Sequence, residues 1–237
     1  MKVFAHRGES AIYPENSQTA IQQCSRDGMD GIEIDLYQTV DDQFVVFHDR
    51  WMTRILGLNK RTVDLTASDL AQLNGKDDKP LPTLAWTLAA LANSGLILNI
   101  ELKNIHNIEL FYRQLLEGCE QSQFDLNLII ISSFNHQYLA DFAKLSSFIK
   151  LGLLLGTHPA GDDLLLPDFP IYSVHLDMDN ISEALIRRYQ QLGVHIYVFT
   201  VDQEEEIDWL YEMNVDGIFA NNPRQISNSA LRQVALE

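Results

Sequence analysis

Cysteine is scarce in this sequence: only Cys24 and Cys119 occur among 237 residues, and neither lies in a CxxC pair. A disulfide framework is therefore not expected, and two buried thiols in a reducing compartment are the simplest interpretation. Glycine and proline are not enriched either, with 12 and 7 residues, so collagen-like and low-complexity chains are excluded. The composition is that of an ordinary globular protein.

Basic residues are few, with 17 Lys and Arg against 33 Asp and Glu, which gives a formal net charge of −16. Such a surface repels nucleic-acid phosphates, so no nucleic-acid partner is expected, and it also repels anionic membrane surfaces. If the protein binds an anionic small molecule, it needs local cations or a metal ion in the binding cleft.

Long apolar runs are also missing, since none approaches the ~20 residues that cross a bilayer. The first residues, from Met1 to His6, lead straight into a strand-like pattern without the features of a signal peptide. We therefore expect a cytoplasmic protein without stable membrane insertion. The sequence makes no prediction of the oligomeric state.

Short β-rich runs alternate along the chain with helical patterns. Most are near-continuous apolar runs, which is typical of parallel strands covered on both faces. The clearest helical stretches, Ser17–Asp27, Leu84–Ala92 and Ile181–Leu192, each end at or near a glycine. Eight strands alternating with helices over this length predict an α/β fold of the (β/α)8 TIM barrel type, as a single domain over residues 1–237. The predicted strands are Val3–His6, Ile32–Tyr37, Ile97–Leu102, Leu128–Ser132, Lys150–Leu155, Tyr172–Leu176, His195–Val201 and Gly217–Ala220.

One further strand-like run, Phe44–His48, does not fit this alternation. It follows the second strand after the short polar turn Asp41-Asp42-Gln43, so we expect a hairpin arm at the barrel mouth. The segment from about residue 50 to residue 82 is then a small insertion. It is predicted to hold a short helix near Ser68–Leu73 and a polar stretch at Gly75–Lys79.

Charged residues interrupt two of the apolar strands. Glu33 and Asp35 lie two apart in one strand, and Glu101 and Lys103 lie two apart in the next. Residues two apart on a strand face the same side, so these side chains should point into the barrel near the carboxyl ends of the strands. Active sites of this fold occupy that end.

Three clustered carboxylates repel one another unless positive charge lies between them. A divalent cation would supply it, and all-oxygen ligation by Glu33, Asp35 and Glu101 suits Mg²⁺ or Ca²⁺ better than zinc. The alternative is a set of ion pairs inside the barrel, with Lys103 and Arg7 as partners. The pattern alone favours neither over the other.

Two histidines, His6 and His48, are predicted at the barrel mouth, each followed by a charged residue. Histidine titrates near neutrality and can act as a general acid or base. Arg7 offers a forked donor for an oxyanion, and Lys103 offers a point charge. Asn16 or Ser17 is expected mainly to cap the first helix. The remaining histidines are interpreted as structural: His106, His136, His158, His175 and His195.

Short motifs recur along the chain in a characteristic order, and with them the sequence resembles the glycerophosphodiester phosphodiesterases. The motifs are His6-Arg7-Gly8, Pro14-Glu15-Asn16, Glu33-Ile34-Asp35, His48-Asp49, Glu101-Leu102-Lys103, Phe199-Thr200-Val201-Asp202 and Val215-Asp216-Gly217-Ile218. Each motif alone is weakly specific, but the series covers nearly the whole chain.

This resemblance implies a TIM barrel that hydrolyses a small glycerophosphodiester to sn-glycerol 3-phosphate and an alcohol. It implies that Glu33, Asp35 and Glu101 bind a divalent metal ion, Mg²⁺ or Ca²⁺. It also implies that His6 and His48 act as general acid and base, and that Arg7 and Lys103 hold the substrate phosphate.

The sequence departs from the family pattern at three places. Tyr37 stands where a shorter polar residue is common, Phe199 replaces a frequent Trp, and Asn221-Asn222-Pro223 replaces a motif that usually carries an Asp. We expect the first two to affect specificity for the alcohol and the third to concern packing only.

Two alternative functions remain from the sequence. A lysophospholipase D-like or sphingomyelinase D-like enzyme has a similar fold and similar motifs, but the polar stretch Gly75–Lys79 does not suggest an apolar rim for docking on lipid. A barrel that only binds phosphorylated ligands would have no need of both His6 and His48.

Overall fold

The computed structural model describes residues 1–25, 29–160 and 166–227. Within these ranges, eight parallel strands close into a barrel, because the first strand pairs with both the second and the last. All eight predicted barrel strands are present, with bounds that differ by at most two residues. The strands are β1 Lys2–Ala5, β2 Gly31–Gln38, β3 Phe44–Val46, β4 Ile97–Asn104, β5 Ile129–Ser133, β6 Lys150–Leu155, β7 Ser173–Asp177, β8 His195–Phe199 and β9 Gly217–Ala220.

Helices surround the barrel and cover the outward faces of its strands. The described α-helices are α1 Gln18–Cys24, α2 Thr53–Leu56, α3 Ala67–Leu70, α4 Leu84–Leu91, α5 Ile108–Ser122, α6 His136–Leu145, α7 Glu183–Gln191, α8 Glu204–Glu212 and α9 Pro223–Ser227. The main hydrophobic core lies between strands and helices, with side chains such as Ile34, Phe111 and Phe142 fully buried. The described helices are all too short or too polar to cross a lipid bilayer.

The three predicted helical stretches correspond to α1, α4 and α7. The predicted end of the first stretch, at Asp27, lies outside the described residues. After α7, Gly193 adopts a φ of +72°, the left-handed conformation that commonly ends a helix. The helix boundary predicted there from the glycine is therefore confirmed.

The hairpin arm predicted after the second strand is β3, which pairs antiparallel with β2 through Leu36 and Val46. Beyond it, the insertion contains α2 and α3. The predicted short helix near Ser68–Leu73 is α3, which begins one residue earlier, at Ala67, because Thr66 and Asp69 form a capping box. The insertion packs on the barrel through a small separate apolar cluster, which contains Tyr37, Val45, Phe47, Met52, Leu65, Leu70 and Leu81.

The inside of the barrel is filled in layers. Aromatic and apolar side chains occupy the lower layer: Phe4, Ile130, Tyr197 and Phe219. Polar side chains stand above them, nearer the carboxyl ends of the strands, where Glu33, Asn99, Ser132 and His175 are all buried. The change from apolar to polar filling along the barrel axis places the candidate site at the carboxyl end.

Candidate functional site at the barrel mouth

A cluster of carboxylates lies inside the carboxyl end of the barrel, as the strand pattern predicts. Glu33, Asp35 and Glu101 each place one oxygen atom within 4.8 Å of the others. Asp35 of β2 and Glu101 of β4 are direct register partners, so the parallel pairing itself brings their carboxylates together. Glu33 and Asp35 are 4% and 1% exposed. This cluster could hold a metal ion through oxygen atoms alone.

Two cations accompany the cluster. Lys103 Nζ lies 2.6 Å from Glu101 Oε1 and 3.5 Å from Asp35 Oδ1, and Arg7 Nε lies 3.4 Å from Asp35 Oδ2. The ion pairs considered as the alternative to a metal site are therefore present. They leave Glu33 Oε1 buried without a protein hydrogen-bond partner.

Charge repulsion persists within the cluster despite these ion pairs. Burial, together with the neighbouring Asp35 and Glu101 carboxylates, raises the pKa of Glu33 well above its ordinary value. Burial and the Asp35 carboxylate raise the pKa of Glu101 to about 7. Buried carboxylates with raised pKa values are incompletely neutralised, so the donor set fits an additional hard cation.

The turn after β1 carries Arg7 and reaches the first helix through Asn16. Both residues adopt left-handed backbone conformations, with φ of 58° and 53°. The Arg7 backbone N–H donates to Glu33 Oε2 at 2.9 Å, and the Asn16 side-chain amide donates to Asp35 Oδ2 at 2.8 Å. Ser17, not Asn16, caps α1. Asn16 therefore supports the carboxylate cluster, a function that the capping pattern concealed.

His6 lies beside the cluster, with Nε2 4.0 Å from Glu33 Oε2. Its Nδ1 lies 2.8 Å from Asn221 Oδ1. The side-chain amide of Asn221 donates to Asp202 Oδ2 at 2.6 Å, which turns Oδ1 toward His6. Because a carbonyl oxygen only accepts, the neutral ring carries its proton on Nδ1 and leaves Nε2 free to accept one.

The surroundings of His6 also keep its ring neutral. Burial, with a further contribution from Arg7, lowers the pKa of His6 to about 4. The departure at Asn221, expected to concern packing, instead places a hydrogen-bond partner on His6. Asp202, the last residue of the motif Phe199-Thr200-Val201-Asp202, accepts the hydrogen bond that orients Asn221. The sequence does not indicate this contact, because 19 residues separate Asp202 from Asn221.

His48 lies just beyond the hairpin arm and is held through a chain of ion pairs. Its Nδ1 lies 2.8 Å from Asp49 Oδ1. Arg54 of α2 donates to both Asp49 oxygens at 2.7 and 2.8 Å and to both Glu15 oxygens at 2.7 Å. Glu15 in turn accepts from Arg7 at 2.9 Å. Arg54, which the sequence did not single out, thus connects the insertion to both His48 and Arg7.

Five of the seven predicted site residues border one open cleft of about 410 Å³ at the barrel mouth, whereas Glu33 and Asp35 do not line it. His6, Arg7, His48, Glu101 and Lys103 line one side of it. The rest of its border comes from the ends of β7 and β8 and the residues after them, namely Asp177, Met178, Asp179, Phe199, Thr200 and Glu206, and from Phe134, which follows β5 and places its ring centroid 5.9 Å from Lys103 Nζ. Phe199 therefore lines the cleft, as its proposed effect on specificity requires, whereas Tyr37 is only 6% exposed and packs against the insertion.

Four of the five histidines interpreted as structural make contacts away from the carboxylate cluster. His106 contacts Asp42, His136 contacts the Leu154 carbonyl, His158 contacts Ser182, and His195 contacts Asp216. The fifth, His175, is fully buried inside the barrel beside Ser173, and burial lowers its pKa to about 3. It borders a small cavity of about 20 Å³ that Glu33 also lines.

Comparison with known proteins places these features in a family. Residues 6–225 match the glycerophosphoryl diester phosphodiesterase family. A glycerophosphodiester phosphodiesterase of Bacillus altitudinis is 31% identical over 236 residues, which cover 94% of this chain and 95% of the relative. One from Caldanaerobacter subterraneus is 29% identical, with 95% and 96% covered. The solved structure of an Oleispira antarctica phosphodiesterase in complex with the product sn-glycerol 3-phosphate has a TM-score of 0.86 at 24% identity, with 96% of this chain and 95% of that chain covered.

Proposed function

The chain belongs to the glycerophosphoryl diester phosphodiesterase family, whose reaction is the hydrolysis of glycerophosphodiesters, and from this premise we propose that the cleft at the barrel mouth releases sn-glycerol 3-phosphate and an alcohol. The observation that carries the proposal is the meeting of two histidines, two cations and three carboxylates in and beneath this cleft. The product bound by the Oleispira antarctica protein is the same phosphate monoester, which supports the assignment.

A divalent cation would be held by Glu33, Asp35 and Glu101. The unpartnered Glu33 Oε1 and the raised pKa values of Glu33 and Glu101 fit a site that gains from a hard cation. When bound, such an ion neutralises the carboxylates and polarises oxygen atoms of the substrate. The oxygen donor set supports Mg²⁺ or Ca²⁺ rather than zinc.

His6 would serve as the general base. Its Nδ1 is occupied by Asn221, so Nε2 is the nitrogen that accepts a proton. The pKa of about 4 keeps the ring unprotonated at neutral pH, which a base requires. His6 borders the cleft next to the carboxylate cluster, where an attacking oxygen would approach the phosphorus.

His48 would act as the general acid for the departing alkoxide. It follows the hairpin arm, whereas His6 follows β1, so the two histidines approach the cleft from different segments. Asp49 accepts from Nδ1 and fixes the orientation of the ring, which leaves the other ring nitrogen for the substrate. Separate acid and base groups suit a displacement in which one oxygen arrives as another leaves.

Arg7 and Lys103 would bind the phosphate. Each borders the cleft, and each is partly neutralised by the carboxylates beneath it. Lys103 is half-buried, which lowers its pKa, but Asp35 and Glu101 raise it more, so the ammonium group stays charged. The two cations would stabilise the negative charge that grows on the phosphoryl oxygens.

The test is a product-release assay on the purified full-length protein. We expect formation of sn-glycerol 3-phosphate from the choline, ethanolamine and glycerol esters, abolished by a chelator and restored by Mg²⁺ or Ca²⁺. Glu101→Gln should abolish it, whereas Glu183→Gln, an equal charge change on the exposed face of α7, should not. Preference for a lysophospholipid would instead favour the lysophospholipase D-like alternative, and binding of sn-glycerol 3-phosphate without turnover of any ester would favour the binding protein.

A further inference from the structure

The cleft has two chemically different sides. β1, β2 and β4 are consecutive around the barrel and carry the carboxylate cluster with Arg7 and Lys103. In the barrel order, β7 and β8 lie across from β2 and β4, and their last residues and the segments that follow them form the opposite wall. A substrate whose phosphate and glycerol lie over the carboxylate cluster would therefore direct its alcohol toward that wall.

Carboxylates dominate the charge of the opposite wall. Asp177, Asp179 and Glu206 all border the cleft, and none of them forms an ion pair within the described ranges. Asp177 also accepts from the Asp179 backbone N–H, so its side chain is anchored in place. The basic residues that border the cleft are all on the other side.

The Phe199 ring, at the end of β8, also belongs to this wall. Phe134 and Phe199 meet edge to face, with centroids 5.8 Å apart and an interplanar angle of 86°, and form an apolar corner. Phe134 is 47% exposed although it is a large apolar residue. Because the Phe134 ring centroid lies 5.9 Å from Lys103 Nζ, Phe199 is the ring of the opposite wall that offers a face to a cation.

Resting on the proposed function, we propose that this wall is the subsite for the leaving alcohol and that it selects alcohols bearing an ammonium or quaternary ammonium group. The carboxylates of Asp177, Asp179 and Glu206 attract the positive charge, and the Phe199 ring contacts its methyl or methylene groups. The same carboxylates repel anionic alcohols, such as those carrying a second phosphate or a carboxylate.

The experiment compares two substrates that differ only in charge. sn-Glycero-3-phosphocholine carries a trimethylammonium group, and its 3,3-dimethylbutyl analogue replaces that nitrogen by carbon with the same shape. We expect the wild-type kcat/KM for the choline ester to exceed that for the neutral analogue by about tenfold, with the difference shrinking at high salt. In the triple variant Asp177→Asn, Asp179→Asn, Glu206→Gln, the ratio should fall close to one.

The triple variant Glu204→Gln, Glu205→Gln, Asp208→Asn is the matched control. All three residues lie on α8 near Glu206 and are exposed, but they do not border the cleft. The ratio should stay at the wild-type value in this variant, which separates a local effect from a change in net charge. Phe199→Leu, which keeps apolar bulk without a π face, should lower the ratio in part.

The outcomes separate this inference from the proposed function. Hydrolysis of both esters at equal kcat/KM, or a ratio unaffected by the triple variant, would overturn the cationic subsite while leaving the phosphodiesterase in place. Failure of the wild-type protein to cleave either ester, with the divalent ion present, would overturn the proposed function itself.

Discussion

The Asp49 carboxylate accepts a hydrogen bond from Nδ1 of His48 at 2.8 Å, and the insertion holds that carboxylate in place through Arg54. Arg54 lies on a four-residue helix outside the barrel, so a segment that contributes little to the barrel core orients a residue of the cleft. The pKa of Asp49, lowered to about 2 mainly by the Arg54 hydrogen bonds, keeps the carboxylate charged at neutral pH.

Asp49→Asn should lower kcat by about tenfold or more while KM changes little, because a misoriented His48 protonates the leaving alkoxide poorly. The loss should be smaller for a substrate whose alcohol is a good leaving group, such as 4-nitrophenol, since that departure needs no acid. Asp64→Asn is the control, since Asp64 pairs with Arg61 on the surface of the same insertion. An equal loss for both leaving groups would argue against a positioning role for Asp49.

Metal binding should compete with protonation of the carboxylate cluster. Burial and Asp35 raise the pKa of Glu101 from its ordinary value of 4.5 to about 7 in the ion-free native state. Between pH 4.5 and pH 7, the native protein therefore keeps a proton on Glu101 that the unfolded chain has released. The free energy of unfolding of the ion-free protein should therefore fall as the pH rises between these two values. A divalent cation bound by these carboxylates would take the place of that proton.

The rise in Tm on adding Mg²⁺ or Ca²⁺ should consequently be larger at about pH 8 than at about pH 5.5. Calorimetric unfolding with and without the ion checks this. Glu101→Gln removes the titrating group, so its response to the ion should be weak at both pH values. A Tm increase that does not depend on pH in the wild-type protein would contradict binding at this cluster.

His6→Ala and His48→Ala should each lower kcat by roughly 10²–10⁴, because each histidine is expected to transfer a proton in the transition state. Neither residue is expected to be a metal ligand, so calorimetry should find the metal affinity close to that of the wild type. Loss of metal binding in His48→Ala would show that its role was wrongly assigned and that it contributes to a metal site.

Arg7→Lys should remain strongly impaired although it keeps the positive charge. The guanidinium contacts both Glu15 and Asp35, and a lysine cannot hold these partners and two phosphate oxygens in a planar fork. The measurement is kcat/KM for Arg7→Lys. Arg61→Lys, at an exposed arginine of the insertion, is the control for the effect of replacing any arginine by lysine. A value for Arg7→Lys near that of the wild type would mean that only the charge matters.

A substrate analogue without the glycerol 2-hydroxyl should bind but turn over very slowly. In the natural substrate that hydroxyl lies beside the phosphate ester, where intramolecular attack gains an effective molarity that can reach ~10⁵ M. His6 would take the hydroxyl proton and His48 would give one to the alcohol, before the two exchange roles while water opens the cyclic phosphate. Transient cyclic phosphate should be visible by ³¹P NMR, whereas near-normal turnover of the deoxy analogue would establish direct attack by water.

Strand periodicity alone was sufficient to predict much of the site. Glu33 with Asp35, and Glu101 with Lys103, share a face because residues two apart on any strand do so, whatever the surrounding fold. The alternation of strands and helices likewise predicted the barrel, because parallel strands covered by helices must be apolar on both faces. Strand periodicity and the alternation of strands with helices depend only on residues close in sequence, so both can be predicted from the sequence.

Several hydrogen bonds that orient the site residues were decided only by the tertiary structure. Asn221 reaches His6 across 215 residues because β9 closes the barrel against β1, and Arg54 reaches Glu15 across 39 residues because the insertion folds back over the mouth. The sequence predicts only a helix cap at Asn16. Its contact with Asp35 forms because β1 pairs with β2 and brings the turn after β1 close to that strand. Local patterns determine which side chains face the site, whereas the hydrogen bonds that orient them depend on closure of the barrel, which no local pattern records.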